Sequence, residues 1–368
     1  MLGILELILV CGLCVSLSHA FENPIRKPGA DPSMVTVNGT YYMTTTGGDH
    51  IAITKSQTLG GLLKGETRTV WTDTNPTRNT DMWAPEMHQI DNTWYMFYSS
   101  GGTSTNTSNR CRVLKGCSGP NPYDCNYIYL AELTPPVGKQ AGPNKDDPHA
   151  IDGTYLVIGK KRYSVVSAND ENSEQSISIT ELDTEKWTVS GWHIISEPNQ
   201  PWERNTTNSA SSDVVAVNEG PHPLYHGGEV WLTYSGSFCG TPNYALGLLH
   251  YIGGDPLSRS SWVKKGPVLS QANGNYGTGH NCFFKSPDGT QIWNGFHATA
   301  NPKGNCGNER YVMAQIVEWD EGNTPSFGIP QPLSAVIQPP SGERVLKHRE
   351  SMLGSSDRLP DLRRRKYI

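Results

Sequence analysis

The sequence predicts an all-β protein, a five-bladed β-propeller, and three observations carry that prediction. Helical patterning is nearly absent, and short runs rich in Tyr, Trp, Val and Ile alternate with turns of Gly, Asn, Asp, Ser and Pro. Five segments resemble one another: YYMTTT (41–46), WYMFYSS (94–100), RYSVVSA (162–168), EVWLTYSG (229–236) and QIWNGFHA (291–298). Their starts recur about every 50–70 residues. Three or more strands per unit, repeated five times, is the signature of a closed propeller.

Each unit has the same order. A shorter strand comes first: SMVTV, MHQI, TYLVI, HPLYH and NCFFK. A tight turn follows (NGT, DNT, GKK, HGG, SPDGT), then the recurrent segment, a polar loop and a further strand: HIAITKS, YIYLAEL, SISITEL, ALGLLHY and YVMAQI. Residues 21–340 are therefore read as one domain, although the length alone would suggest about two. In the second unit the cysteine-bearing stretch 103–125 reads as a polar loop, either a disulfide-braced surface loop or a wall across one end of the channel.

Residues 1–20 form an apolar run that ends in Ser-His-Ala, expected to be a removed secretion signal; no other run approaches the roughly 20 apolar residues of a bilayer helix. A secreted, extracellular monomer is expected. Asn38, Asn106 and Asn205 each open an N-glycosylation sequon. Six cysteines remain after the signal; they read as loop staples of unreadable connectivity, since no C-x-x-C or Cys/His metal spacing is present. From Ser341 the chain is basic, with eight Lys/Arg against four Asp/Glu, and 341–368 reads as a solvated, disordered tail. The net charge of −5 gives no reason to expect nucleic acid or a membrane as partner.

One residue before each innermost strand matters most. Asp31, Glu86, Asp152, Glu219 and His280 stand eight to eleven residues ahead of the five recurrent segments. The first strand of a propeller blade lines the channel, so these side chains are expected to meet at one mouth. A single acid there would read as a turn cap; four at one phase point to a functional site, because clustered like charges are costly to ionise. Two carboxylates across a polar pocket suit glycosidic cleavage, one protonating the leaving oxygen and one activating water. No Walker lysine or G-x-S-x-G elbow supports phosphoryl transfer or serine hydrolysis. A cation is the rival occupant, either calcium in the channel or an ion held through water near His280; no cofactor is otherwise required.

The ordered set GADPSM, WAPEMH, AIDGTY and VNEGPHPLY resembles glycoside hydrolase family 43, and within it the secreted exo-α-1,5-L-arabinofuranosidases. The likeness continues through GTGHN (277–281), FFKSPDGT (283–290) and PSFGIP (325–330). It implies a propeller that hydrolyses arabinan, arabino-oligosaccharides or arabinoxylan of plant cell walls with inversion. It implies Asp31 as general base, Glu219 as general acid and Asp152 as the carboxylate that raises and orients the acid. An inverting pair is expected to stand roughly 6.5–9.5 Å apart. Partial burial of Glu219 and the charge of Asp152 would push the acid's pKa upward. Trp83, Glu86, His280 and Arg310 are expected to contact substrate, and Phe296-His297 to be structural. A β-xylosidase or arabinoxylan arabinofuranohydrolase on the same site, and a non-catalytic sugar-binding propeller, are the alternatives.

Overall fold

The computed structural model describes residues 20–103, 109–136, 148–204 and 215–343. The secretion signal (but for Ala20), Asn106, Asn205 and the tail from 344 lie outside these residues. The architecture is the predicted one: five antiparallel sheets arranged as a five-bladed β-propeller.

Blade 1 is Ser33–Val37, Thr40–Thr44, Ile51–Ser56 and Glu66–Trp71. Blade 2 is Thr80–Ile90, Thr93–Gly101, Arg110–Ser118 and Ile128–Glu132. Blade 3 is Ala150–Ile158, Lys161–Asn169 and Gln175–Asp183, whose outer edge pairs with both Thr188–Val189 and His193–Ser196. Blade 4 is Asn218–His226, Glu229–Gly236, Ala245–Tyr251 and Trp262–Leu269. Blade 5 has three strands of its own, Tyr276–Lys285, Ile292–Thr299 and Tyr311–Ile316.

The recurrent segments are the second strands, and their legibility has a physical cause. Each is packed between two neighbouring blades, so it is buried almost without interruption, as in Thr93–Gly101, where every residue after the first is buried. Such a strand reads as a continuous apolar and aromatic run rather than an alternating one. Apolar cores fill the gaps between successive blades, for example Phe97 and Val113 against Val166 and Trp187, or Leu246 and Leu248 against Phe296 and Tyr311.

The ring closes through the start of the chain. Asn23 exchanges two hydrogen bonds with the backbone of Ala314, at 3.1 and 2.9 Å. The N–H groups of Ile25 and Gly29 donate to the carbonyls of Val312 and Arg310, both at 2.9 Å, so segment 23–29 takes the place of a fourth strand in blade 5.

Three expectations need correction. Stretch 103–125 is not simply a loop: Arg110–Ser118 is the third strand of blade 2 and YIYLAEL supplies its fourth. Not all six cysteines staple loops, since Cys117–Cys125 and Cys239–Cys306 are bridged while Cys111 and Cys282 are buried thiols inside strands. The domain boundary at 340 is short, because Glu343 accepts hydrogen bonds from Leu59 N–H at 2.9 Å and Tyr41 Oη at 3.0 Å. Asn38 is exposed at the first turn of blade 1, with a φ of 51° that asparagine tolerates. Among the described residues no helix is long and apolar enough to cross a membrane.

Candidate active site

The strand register shows how the channel mouth is built. Asp31, Ala84, Asp152, Gly220 and His280 each stand two residues ahead of a paired position (Ser33, Glu86, Thr154, His222, Cys282), and each has a positive φ between 44° and 57°. In blades 2 to 5 the innermost strand bulges there. A bulge re-aims the adjoining side chain, so the mouth is formed by a repeated local kink. Aspartate and histidine are among the residues that tolerate the left-handed region, so the kink is open to them as it is to glycine.

Asp31, Asp152 and His280 therefore occupy equivalent positions, as expected, but Glu86 and Glu219 do not. Glu219 precedes the kink by one residue and reaches the cleft by that offset; Gly220 takes the kink itself. Glu86 lies two residues beyond it, in the next layer down. There its carboxylate accepts from Thr154 Oγ1 at 2.6 Å and stands 2.9 Å from His88 Nε2 and 3.3 Å from His222 Nδ1. The expectation that Glu86 contacts substrate is corrected on that ground: its oxygens are spent on neighbours below the cleft.

The cleft, of about 460 Å³, is lined by Asp31, Asp152, Glu219, His280, Trp83 and Arg310, with Thr46, Gln175, Phe238, Asn308 and the Cys239–Cys306 bridge. Asp31 is gripped from three sides. Arg310 donates to Oδ1 at 3.0 Å, Thr46 Oγ1 donates to Oδ2 at 2.6 Å, and His280 Nδ1 is 3.4 Å from Oδ1. The Asp31 N–H donates to His297 Nδ1 at 3.2 Å, so the structural histidine holds the aspartate. Burial alone would raise this carboxyl, but the Arg310 charge and the two imidazoles hold it well below the usual range.

Glu219 has the opposite environment. Burial and the negative charge of Asp31 push its pKa up to about 7 against the hydrogen bond from Tyr244 Oη, 2.8 Å from Oε1. Gln175 Nε2 approaches Oε2 at 3.4 Å. Asp152 is raised by burial and then by the charges of Glu219 and Asp31, and it accepts the Gly220 N–H at 3.0 Å. Asp152 thus fixes the backbone next to Glu219, and burial beside neighbouring negative charge raises both carboxyls. Burial is the leading cause of the shift at Glu219, and the charge that adds to it is that of Asp31, not the expected charge of Asp152.

Asp152, Glu219 and His280 bring one ligand atom each within 4.8 Å of one another. They are a poor cage for calcium, which takes six to eight oxygens. The glutamate oxygens already receive Tyr244 and Gln175, and the imidazole faces Asp31. Thr46, Gln175 and Tyr244 escaped the sequence reading because none is a repeated acid or histidine; only their contacts place them.

Residues 21–325 match the model of a family described as glycosyl hydrolases family 43. The chain is 33% identical over 331 residues to an extracellular exo-α-(1→5)-L-arabinofuranosidase of Streptomyces avermitilis, covering 86% of this chain and 64% of that one. It is 32% identical to α-L-arabinofuranosidase 43 of Humicola insolens, covering 87% and 66%. It thus spans about two thirds of the length of these relatives. The crystal structure of an α-L-arabinofuranosidase from Lactobacillus brevis superposes with a TM-score of 0.74 at 27% identity, covering 86% of this chain and 98% of that one.

Proposed function

Since the chain belongs to glycosyl hydrolase family 43, we propose that it is a secreted, inverting exo-α-L-arabinofuranosidase that trims arabinan or arabino-oligosaccharides. One observation carries the reading: two carboxyls in one cleft are displaced in opposite directions, Asp31 held ionised and Glu219 lifted to about 7. That is the division an inverting pair requires. Asp31 takes a proton from a water whose oxygen attacks the anomeric carbon; Glu219 gives its proton to the departing glycosidic oxygen, and the bond from the anomeric carbon to that oxygen breaks. Asp152 orients the acid through Gly220 N–H. Trp83, His280 and Arg310 border the sugar, and Arg310 also holds the base. The reaction so written needs no cofactor, and all its groups lie on one chain, so a monomer suffices.

Product analysis on arabino-oligosaccharides, arabinan, xylo-oligosaccharides and arabinoxylan, with NMR of the first anomer released, tests this. Arabinose with inverted configuration is the expected product. Dominant xylose release would overturn the substrate, and an unchanged anomer the mechanism. Asp31→Asn and Glu219→Gln should each lower kcat by roughly 10²–10⁴-fold.

A further inference from the structure

Tyr244 stands just before the third strand of blade 4 and is fully buried. Its hydroxyl donates to Glu219 Oε1 at 2.8 Å, while the one other side-chain donor to that carboxyl among the described residues, Gln175, sits at the longer 3.4 Å from Oε2. The better acceptor of a neutral carboxyl is its carbonyl oxygen, so the short bond marks Oε1 as that oxygen and leaves the proton on Oε2. The other face of the device is aromatic: the Tyr244 ring stacks on His297, with centroids 5.4 Å apart and planes 10° apart, and His297 receives the Asp31 N–H. Space for the ring exists because residue 279 is glycine. A Cβ there would lie 2.5 Å from Tyr244 Cε1.

We propose that Tyr244 is a positioning residue for the acid, fixing which oxygen of Glu219 carries the proton and, through the stack on His297, tying that orientation to the base. The inference rests on the inverting reading above. Burial and the Glu219 charge raise the phenol well above its ordinary value, so it remains a donor at any working pH.

Tyr244→Phe tests it. Loss of a charge-assisted donor should move the alkaline limb of kcat/KM upward by roughly one pH unit. On substrates whose leaving group needs protonation, kcat should fall by about tenfold or more while KM holds. The titration of ¹³C-labelled Glu219, read by NMR without turnover, should move the same way. Gly279→Ala, which displaces the ring but keeps the hydroxyl, should shift both readouts in the same direction, and it decides the matter if Tyr244→Phe does not fold. An unmoved limb together with an unmoved Glu219 titration in a folded variant overturns the proposal. A wild-type chain that releases no pentose while Glu219 still shifts in Tyr244→Phe would sink the arabinofuranosidase reading and leave the positioning role standing.

Discussion

Arg310 in blade 5 donates to Asp31 Oδ1 at 3.0 Å, and this bond crosses the seam where the last blade meets the first. The guanidinium is itself aimed by carbonyls of its own loop, Cys306 at 2.5 Å and Gly307 at 3.3 Å. A planar fork suits that task, because it satisfies a carboxylate and a carbonyl at once. Asp31 is thereby held by the residue whose own carbonyl receives Gly29 N–H, where segment 23–29 closes the ring on blade 5.

Removing that charge should expose the base to its burial. Asp31 must be ionised to act, and its pKa is held down chiefly by Arg310 against desolvation. In Arg310→Met the acidic limb of kcat/KM should move to higher pH by roughly one to three units. Arg310→Lys should restore part of the shift but lose the carbonyl contact. A profile that keeps its acidic limb, with only KM raised, would make Arg310 a substrate ligand and nothing more.

The acid sets the other limb. Glu219 titrates near 7, so kcat/KM should fall as pH rises through that value. The same shift has a stability consequence of definite sign. A carboxyl whose folded pKa is raised is ionised at a cost, and the cost grows as pH rises from the unfolded value near 4.5 to about 7. Glu219→Gln should therefore raise stability at pH 8 by on the order of 2 kcal/mol and change it little at pH 4. Tm at the two values checks this; an equal effect at both would show that the buried charge is not the cause.

The Cys239–Cys306 bridge links the blade 4 and blade 5 loops at the rim of the cleft, across 67 residues of sequence. The Cys306 carbonyl is one of the two that aim Arg310. A Cys239→Ser/Cys306→Ser double variant should lose about 2–4 kcal/mol of stability. Below its Tm it should also show the upward-shifted acidic limb of Arg310→Met in weaker form. Loss of stability with an unaltered profile would confine the bridge to the fold.

The second strands were legible because burial between two blades imposes an unbroken apolar run, as in EVWLTYSG, which is the strand to the residue. Asp31, Asp152 and His280 were legible because each sits at the same repeated kink. Counting back from the recurrent segments failed at Glu86 and Glu219, since bulges in the innermost strands change how many residues separate equivalent positions. Arg110–Ser118 was missed because arginine, lysine, glycine and two cysteines imitate a loop, while Cys111, Val113 and Leu114 of that strand are fully packed. Tyr244 carries no sequence signal at all, because its role depends on the glycine at 279 in another blade.

Glu86 offers the sharpest contrast between counting and geometry. Burial would raise its pKa, yet His222 and His88 bring it down to about 2. A carboxylate with a depressed folded pKa adds stability that is present above its unfolded value near 4.5 and is lost as pH falls toward about 2. Glu86→Ala would leave the Thr154 hydroxyl and two imidazoles without their acceptor, at a cost of on the order of 3 kcal/mol. Glu86→Gln keeps the shape and one acceptor, so it should cost less, with the deficit shrinking as the pH is lowered through 4. In either variant, once folded, KM should stay within roughly twofold of wild type, because an interaction outside the cleft contributes nothing to uniform substrate binding. Denaturant melts at pH 7 and pH 3, alongside KM, check the two claims together: a large rise in KM with unchanged stability would return Glu86 to the substrate and displace it from the layer beneath.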